Sequence, residues 1–146
     1  MGTSDDSTQR FIVNDVRRHF PECEGWKITS RETLAGYDQV FRLQRPNGMS
    51  QEIVTLGFSF GKTVPELLLK KVRSPAVTNI PANFLRTRNA LLVPDESDLS
   101  GIGNGIAIYT MKNFRYDGPA LVWLKHPRER FGRIRQSIKD LIPAGR

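Results

Sequence analysis

IAIYTMKNFRYDGPALVWLKHPRERFGRIRQSIKDLI, from Ile106 to Ile142, is the stretch that decides the predicted fold. Two runs of strand-forming residues, 106–112 and 120–126, flank the turn sequence Tyr-Asp-Gly-Pro at 116–119, which predicts a β-hairpin. In the segment 127–142, apolar residues recur three or four positions apart, which is typical of an amphipathic helix. The chain is therefore predicted to end in a hairpin and a helix.

This stretch is also strongly basic. Together with Arg146 it holds nine of the 22 Lys and Arg residues, against three acidic residues. Residues 1–60 carry a net charge of −1 and residues 61–146 carry +8, so the whole formal charge of +7 comes from the second half. An asymmetry of this kind indicates a negatively charged partner, such as nucleic acid or an acidic protein surface.

Working outward from this stretch, the preceding sequence alternates between helical and strand periodicities. The predicted elements are a helix from Ser4 or Ser7 to Pro21, strands over 26–32, 37–45 and 50–60, and a helix over 63–73. The segment 83–93, NFLRTRNALLV, fits either a short helix or a buried strand, and periodicity leaves this choice open. Residues 94–105 are predicted to form a glycine-rich loop.

These elements predict one α+β domain over residues 6–146, and the 146-residue length fits a single domain. Residues 1–5 are predicted to be a disordered N-terminus or a cloning remnant. The sheet is predicted to be antiparallel, a three-strand meander plus the C-terminal hairpin, covered by helices on one face. The order is α-β-β-β-α-(α)-β-β-α. The second and third strands are predicted to turn at Arg45-Pro46-Asn47-Gly48.

Cysteine and histidine contents restrict the chemistry. The single cysteine, Cys23, has no partner for an intrachain disulfide and favours a reducing compartment, so we expect a cytoplasmic protein. His19 and His126 lie far apart in sequence, and we predict no metal or other cofactor. The longest apolar runs fall far short of the roughly 18 residues that a membrane span needs.

Two glycine-containing segments resemble nucleotide-binding loops. The segment Gly57–Thr63, GFSFGKT, lies between a predicted strand and a predicted helix, but it has one residue fewer between its glycines than a phosphate-binding loop requires. A turn at the end of a strand is the alternative interpretation. The glycines at 101, 103 and 105 precede a predicted strand, whereas a dinucleotide-binding turn follows one, which favours a simple loop.

The order helix, three strands, helix resembles the restriction-endonuclease-like core. The resemblance implies a metal site with Asp38 on the second strand and a carboxylate and a lysine at alternate positions on the third. In Glu52-Ile53-Val54, however, valine occupies the position of that lysine. The residues therefore favour a degenerate nuclease-like domain over an active nuclease. In the alternative interpretation, Asp38 is an exposed acidic residue of the strand with no role in catalysis.

With two further strands and a last helix, the element order also looks like that of small dimeric secretion chaperones. This resemblance implies a protein–protein interaction or chaperone-like subunit, with a homodimer or another protein as partner. In such a subunit the free edge of the meander, or an uncovered apolar patch, would dock the partner. Chaperones of that type are usually acidic, which the basic balance of this chain does not match.

The leading prediction is a non-enzymatic module that binds a polyanion, nucleic acid in particular, through the C-terminal hairpin and helix. Arginine suits bidentate phosphate contacts, and exposed aromatic rings stack on unpaired bases. Phe114 and Tyr116 near the turn are the aromatic residues expected to be exposed. The predicted contact residues are Lys112, Arg115, Lys125, Arg128, Arg130, Arg133 and Arg135.

Overall fold

The structure, a computed structural model, describes residues 3–75, 77–117 and 120–123. Its helices and strands are α1 (Thr3–His19), β1 (Lys27–Thr33), β2 (Gln39–Asn47), β3 (Ser50–Phe58), α2 (Glu66–Arg73), β4 (Leu85–Asp95), β5 (Ile106–Asp117) and β6 (Ala120–Trp123). Short 3-10 turns cover Glu22–Glu24 and Ala82–Phe84. The segment 83–93, which the sequence allowed to be either a helix or a strand, therefore forms most of the strand β4. The final helix predicted over 127–142 lies outside the described residues.

The six strands form one mixed sheet in the order β1-β2-β3-β4-β5-β6. Strands β1, β2 and β3 pair antiparallel, as expected for the meander, and β5 pairs antiparallel with β6. Strand β4, however, runs parallel to both β3 and β5. The prediction of a purely antiparallel sheet, and of the corresponding order of elements, was therefore wrong.

The parallel pairs follow from the two connections around β4. Parallel neighbours need a crossover that returns the chain to the starting end of the sheet, and α2 supplies it between β3 and β4. The glycine-rich residues 96–105 supply it between β4 and β5. Residues 53–58 and 90–93 are buried without interruption, which is typical of central strands covered on both faces.

The helices cover opposite faces of the sheet, not one face as predicted. On the first face, α1 buries Ile12 and Val16 against residues of the central strands such as Leu56. On the second face, α2 buries Leu68 and Val72 together with alternate strand residues. The alternation of side chains along β2 and β4 explains why each of these two strands contributes to both cores. Neither of the two described helices combines the length and the apolar content of a bilayer-crossing segment.

Two glycines determine local geometry. Strands β2 and β3 are joined by Gly48-Met49, with Asn47 paired to Ser50, so the predicted four-residue turn was placed too early and Pro46 lies within β2. The positive φ of 63° at Gly48 suits the first central position of a two-residue hairpin turn. In β3, a Cβ at Gly57 would lie 2.6 Å from Val72 Cγ2, so this glycine permits the close approach of α2.

Candidate anion-binding surface around α2

The predicted polyanion-binding residues lie largely beyond the described part of the chain. The backbones of Lys112 and Arg115 belong to β5, although their side chains are not described. The rest of the set lies outside the described residues: Lys125, Arg128, Arg130, Arg133 and Arg135. Their convergence into one patch remains a prediction.

The expectation that Phe114 is exposed was wrong. Its side chain is fully buried and packs edge-to-face against Phe11, with ring centroids 4.8 Å apart, and against Phe60 at 5.5 Å. The residue lies in the sheet-facing core beneath α1, so it is not accessible for stacking on a base. Phe114, which the sequence predicted at the binding surface, is therefore a core residue.

A group of cations lies at the end of α2. The amphipathic sequence ELLLKKVR places Lys70, Lys71 and Arg73 in the last turn, where positive charge complements the negative end of the helix dipole. Lys71 Nζ lies 2.9 Å from a carboxylate oxygen of Glu32, and Arg73 donates a hydrogen bond to the carbonyl oxygen of Ile102. Dipole complementation and tertiary contacts therefore explain part of this cluster without a ligand.

Two clefts border this turn, one on each side of Ser74. The larger, of about 590 Å³, opens between α2 and the 96–105 connection and is bordered by Lys70, Arg73 and Gly101. The smaller, of about 340 Å³, opens between α2 and the outer face of β1 and β2. Both are lined by cationic side chains, so the surface around α2 is the candidate anion-binding surface of the described residues.

The smaller cleft contains a guanidinium that is incompletely hydrogen-bonded. Arg42 lies on β2 directly opposite Ser30 of β1, on the face covered by α2. Its Nη2 atom donates a long hydrogen bond of 3.4 Å to the carbonyl oxygen of Ser74. Its Nε atom is buried and has no hydrogen-bond partner among the described residues. The other charged side chains that line the cleft are Glu32 and Lys71, which pair with each other.

A second polar cluster, on the α1 face, is fully accounted for by internal pairing. The Glu52 carboxylate accepts hydrogen bonds from Arg45 Nε at 3.1 Å and from Arg88 Nε at 3.2 Å. Arg88 also donates to the Tyr109 hydroxyl at 2.8 Å, and Arg45 lies over the Trp26 ring, 4.5 Å from its centroid. The charged ends of Glu52, Arg45 and Arg88 thus contact one another or neighbouring aromatic residues at this end of the core.

The pKa of the Glu52 carboxyl is lowered from its ordinary value. Burial of this side chain, which is 14% exposed, opposes ionisation. The hydrogen bonds and positive charges of Arg88 and Arg45 outweigh that effect. The carboxylate is therefore held ionised as part of the scaffold.

The structure places Gly57–Thr63 at a strand end and not around a phosphate. Residues 57 and 58 belong to β3, the Ser59 N–H donates to the carbonyl oxygen of Leu92 at 3.2 Å, and the Gly61 N–H donates to the Ser59 hydroxyl at 2.9 Å. A phosphate cradle needs consecutive N–H groups that point at the ligand. Here these donors are already engaged within the fold.

The register of β2 and β3 separates the two acids of the nuclease hypothesis. Asp38 precedes β2, whereas Glu52 pairs with Arg45 near the other end of the hairpin. Seven residues at about 3.3 Å each put the two positions roughly 23 Å apart along the strand. Asp38 is 8% exposed, which also overturns the alternative that it is an exposed strand acid. One metal ion cannot bridge carboxylates at such a separation.

Other candidate groups are also placed by the fold. His19 ends α1, and its Nε2 lies 3.1 Å from the carbonyl oxygen of Thr110. Cys23 is a free, exposed thiol. Ile102 inserts its side chain into the core beneath α2, so the glycine-rich connection is anchored at its centre. Within the described ranges, no three His, Cys, Asp or Glu side chains form a group that could hold a metal ion.

Comparisons with known proteins give no further indication of function. No protein-family model matches the chain, and neither the curated proteins nor the solved structures contain a match. The function must therefore be argued from charge and geometry alone.

Proposed function

We propose that this chain is a non-enzymatic module that binds nucleic acid through the phosphate backbone. The contacts are assigned to the C-terminal third of the chain, in which cationic side chains outnumber carboxylates. The proposed contact residues are Lys112, Arg115, Lys125, Arg128, Arg130, Arg133 and Arg135.

The observation that supports this proposal is the division of charge along the chain. Residues 1–111 contain 13 Lys and Arg residues and 12 Asp and Glu residues, so they are almost neutral. Residues 112–146 contain nine and three, respectively, which leaves most of the net charge of +7 in this segment. A segment with so few internal counter-charges is suited to an external polyanion.

The scaffold uses several of its own charges internally. Among the described side chains, Arg18, Arg45, Lys71 and Arg88 each lie within ion-pair distance of a carboxylate. This pairing leaves the first 111 residues with the same net charge of +1, while fewer of their cations can contact an external polyanion. This supports the C-terminal third as the contact region.

The proposed binding mode predicts a steep dependence on salt. Each neutralised phosphate of a single strand releases counterions and contributes about −0.7 to the slope of log K against log salt concentration. Four arginine contacts therefore correspond to a slope change of about 3. Because these contacts reach phosphates and not base edges, affinity should differ little between oligonucleotide sequences of the same length.

The test compares two variants that each remove four positive charges. The first replaces Arg128, Arg130, Arg133 and Arg135 with Gln. The control replaces Arg10, Arg17, Lys27 and Arg86 with Gln, four exposed scaffold cations whose described surroundings contain no salt-bridge partner. Fluorescence anisotropy with a labelled single-stranded oligonucleotide should show strong loss of affinity and a slope reduced by about 3 for the first variant only. Equal losses in both variants would contradict the assignment.

A protein–protein interaction is the second candidate, because β1 forms one edge of the sheet and no described strand pairs with its outer side. All residues of β1 except Ile28 are exposed. Features that commonly protect an edge strand are also present: the charged residues Lys27, Arg31 and Glu32 and a register shift between Ile28 and Ser30. Light scattering tests this candidate directly. A stable homodimer that does not bind the oligonucleotide would favour it over nucleic-acid binding.

A further inference from the structure

We infer that the smaller cleft beside α2, lined by Arg42, Lys71 and Ser30, is a binding site for a phosphate group. This site lies on the described scaffold and not in the C-terminal third, so it goes beyond the proposed function. The phosphate group would belong either to a small phosphorylated molecule or to a nucleic-acid backbone. Both present the same chemistry to the cleft.

The first argument is the incomplete hydrogen bonding of Arg42. A guanidinium carries five N–H donors in a planar fork, and the described contacts of Arg42 comprise one long hydrogen bond, from Nη2 to the carbonyl oxygen of Ser74. The buried Nε–H has no acceptor in the part of the chain that the structure describes. Buried donors are nearly always paired, so this donor indicates that an acceptor belongs in the cleft. Phosphate oxygens match the fork geometry of arginine.

The second argument is the charge of the other groups around the cleft. Glu32 is the carboxylate among the described lining residues, and its ion pair with Lys71 neutralises it. Arg42 therefore leaves the cleft with a net positive charge, which favours an anion over a neutral acceptor. The Lys71 ammonium has three donors, so it can keep its contact with Glu32 and donate to an anion as well.

The third argument is the position and size of the site. Ser30 is the cross-strand partner of Arg42, so its hydroxyl borders the cleft from β1, while Lys71 borders it from α2. Groups from three elements of the fold thus surround one space. The volume of about 340 Å³ is at the lower end of the range for small-molecule sites, which suits a phosphate group and little more of its parent molecule.

The experiment uses inorganic phosphate as the probe and the thermal midpoint as the readout. Phosphate also stabilises proteins generally, so each titration is compared with chloride at equal ionic strength and with an Arg42→Gln variant. At about 100 times the dissociation constant, binding should raise the midpoint of the natural sequence by roughly 5–10 °C. Arg42→Gln should lose this increment, whereas Arg86→Gln, which removes an exposed charge, should keep it.

A second variant covers the case in which Arg42→Gln does not fold. Lys71→Gln keeps the guanidinium but removes a proposed phosphate donor, and its phosphate response should be reduced by about tenfold in apparent affinity. If Arg42→Gln and the natural sequence respond equally to phosphate, or if Lys71→Gln has unchanged affinity, the inference is wrong. In that case, water or a conformational adjustment satisfies Arg42.

Oligonucleotide binding then distinguishes the source of the phosphate. If Arg42→Gln weakens oligonucleotide binding as well, the cleft holds a backbone phosphate. If Arg42→Gln abolishes the phosphate response but leaves oligonucleotide binding unchanged, the ligand is a small phosphorylated molecule. The four-arginine variant of the C-terminal third should keep the phosphate response in either case, so failure of the proposed function is distinguishable from failure of this inference.

Discussion

Replacing Gly57 with Ala tests the close packing of α2 on the sheet. The added Cβ would lie 2.6 Å from Val72 Cγ2, 2.9 Å from Leu91 Cδ2 and 3.3 Å from Leu68 Cδ1. All three distances are shorter than ordinary van der Waals contact, so α2 and the side chain of Leu91 on β4 must move. Overpacking of this kind costs about 1–3 kcal/mol, against which alanine recovers about 0.4–1 kcal/mol of chain entropy.

The expected net loss is therefore about 1–2 kcal/mol, which corresponds to a fall in the thermal midpoint of roughly 3–8 °C for a chain of this size. Urea denaturation, with the slope m unchanged, measures the free energy directly. A double-mutant cycle with Val72→Ala isolates the contact, because removing the Val72 methyl groups relieves the clash. The double variant should be at least about 1 kcal/mol more stable than the sum of the single effects. Strict additivity, or a Gly57→Ala protein as stable as the natural one, would refute the close approach.

Two further perturbations test other parts of the scaffold. Glu52→Gln should reduce the free energy of unfolding by about 1–2 kcal/mol near neutral pH. This value is small for a charged pair because Arg88 is 38% exposed and solvent screens the interaction. Because folding lowers the pKa of Glu52, its stabilising effect is complete above the unfolded-state pKa and is lost as pH falls through the folded-state pKa. The difference in the free energy of unfolding between the two proteins should therefore shrink below about pH 4.5. A difference that is constant from pH 7 to pH 3 would contradict this explanation. Ile102→Ala should reduce the free energy of unfolding by about 2–4 kcal/mol, because Ile102 is 4% exposed and lies in the core beneath α2. Urea denaturation measures this loss, and an effect below about 0.5 kcal/mol would show that the 96–105 connection is not anchored there.

The meander was predictable because its strands carry local signals. In β2 and β3, alternation and the glycine at the turn place the strand limits within a few residues of those observed. The sequence of β4 carries no such signal in its second half, because Ala90 to Val93 are buried on both faces and do not alternate. A run of this type indicates a central parallel strand as readily as a helix. The direction of β4 depends on where α2 packs, which is a tertiary property.

The candidate site was less predictable than the fold. Arg42 is one polar residue in an alternating strand, and nothing local distinguishes it from the solvent-facing residues of an ordinary sheet. Its significance depends on two distant elements, since α2 covers its face and Ser30 becomes its cross-strand partner. The prediction that helices cover one face of the sheet gave no signal for Arg42, because Arg42 alternates with the buried Phe41 and Leu43 and so faces the opposite side. Charge counts along the sequence instead directed attention to the C-terminal third.

The two proposed anion contacts differ in their physical environment, and this difference determines how they should respond to salt. The Arg42 cleft is partly enclosed and surrounded by groups from β1, β2 and α2, so its electrostatic interactions are screened less than those of surface charges. Contacts between exposed arginines and a nucleic-acid backbone instead weaken with each released counterion. Raising the salt concentration should therefore remove oligonucleotide binding by the C-terminal third while the phosphate response of the cleft changes little. If the phosphate response instead declines with the same slope as oligonucleotide binding, the cleft is as open to screening ions as the surface arginines, and its partial enclosure does not protect the interaction.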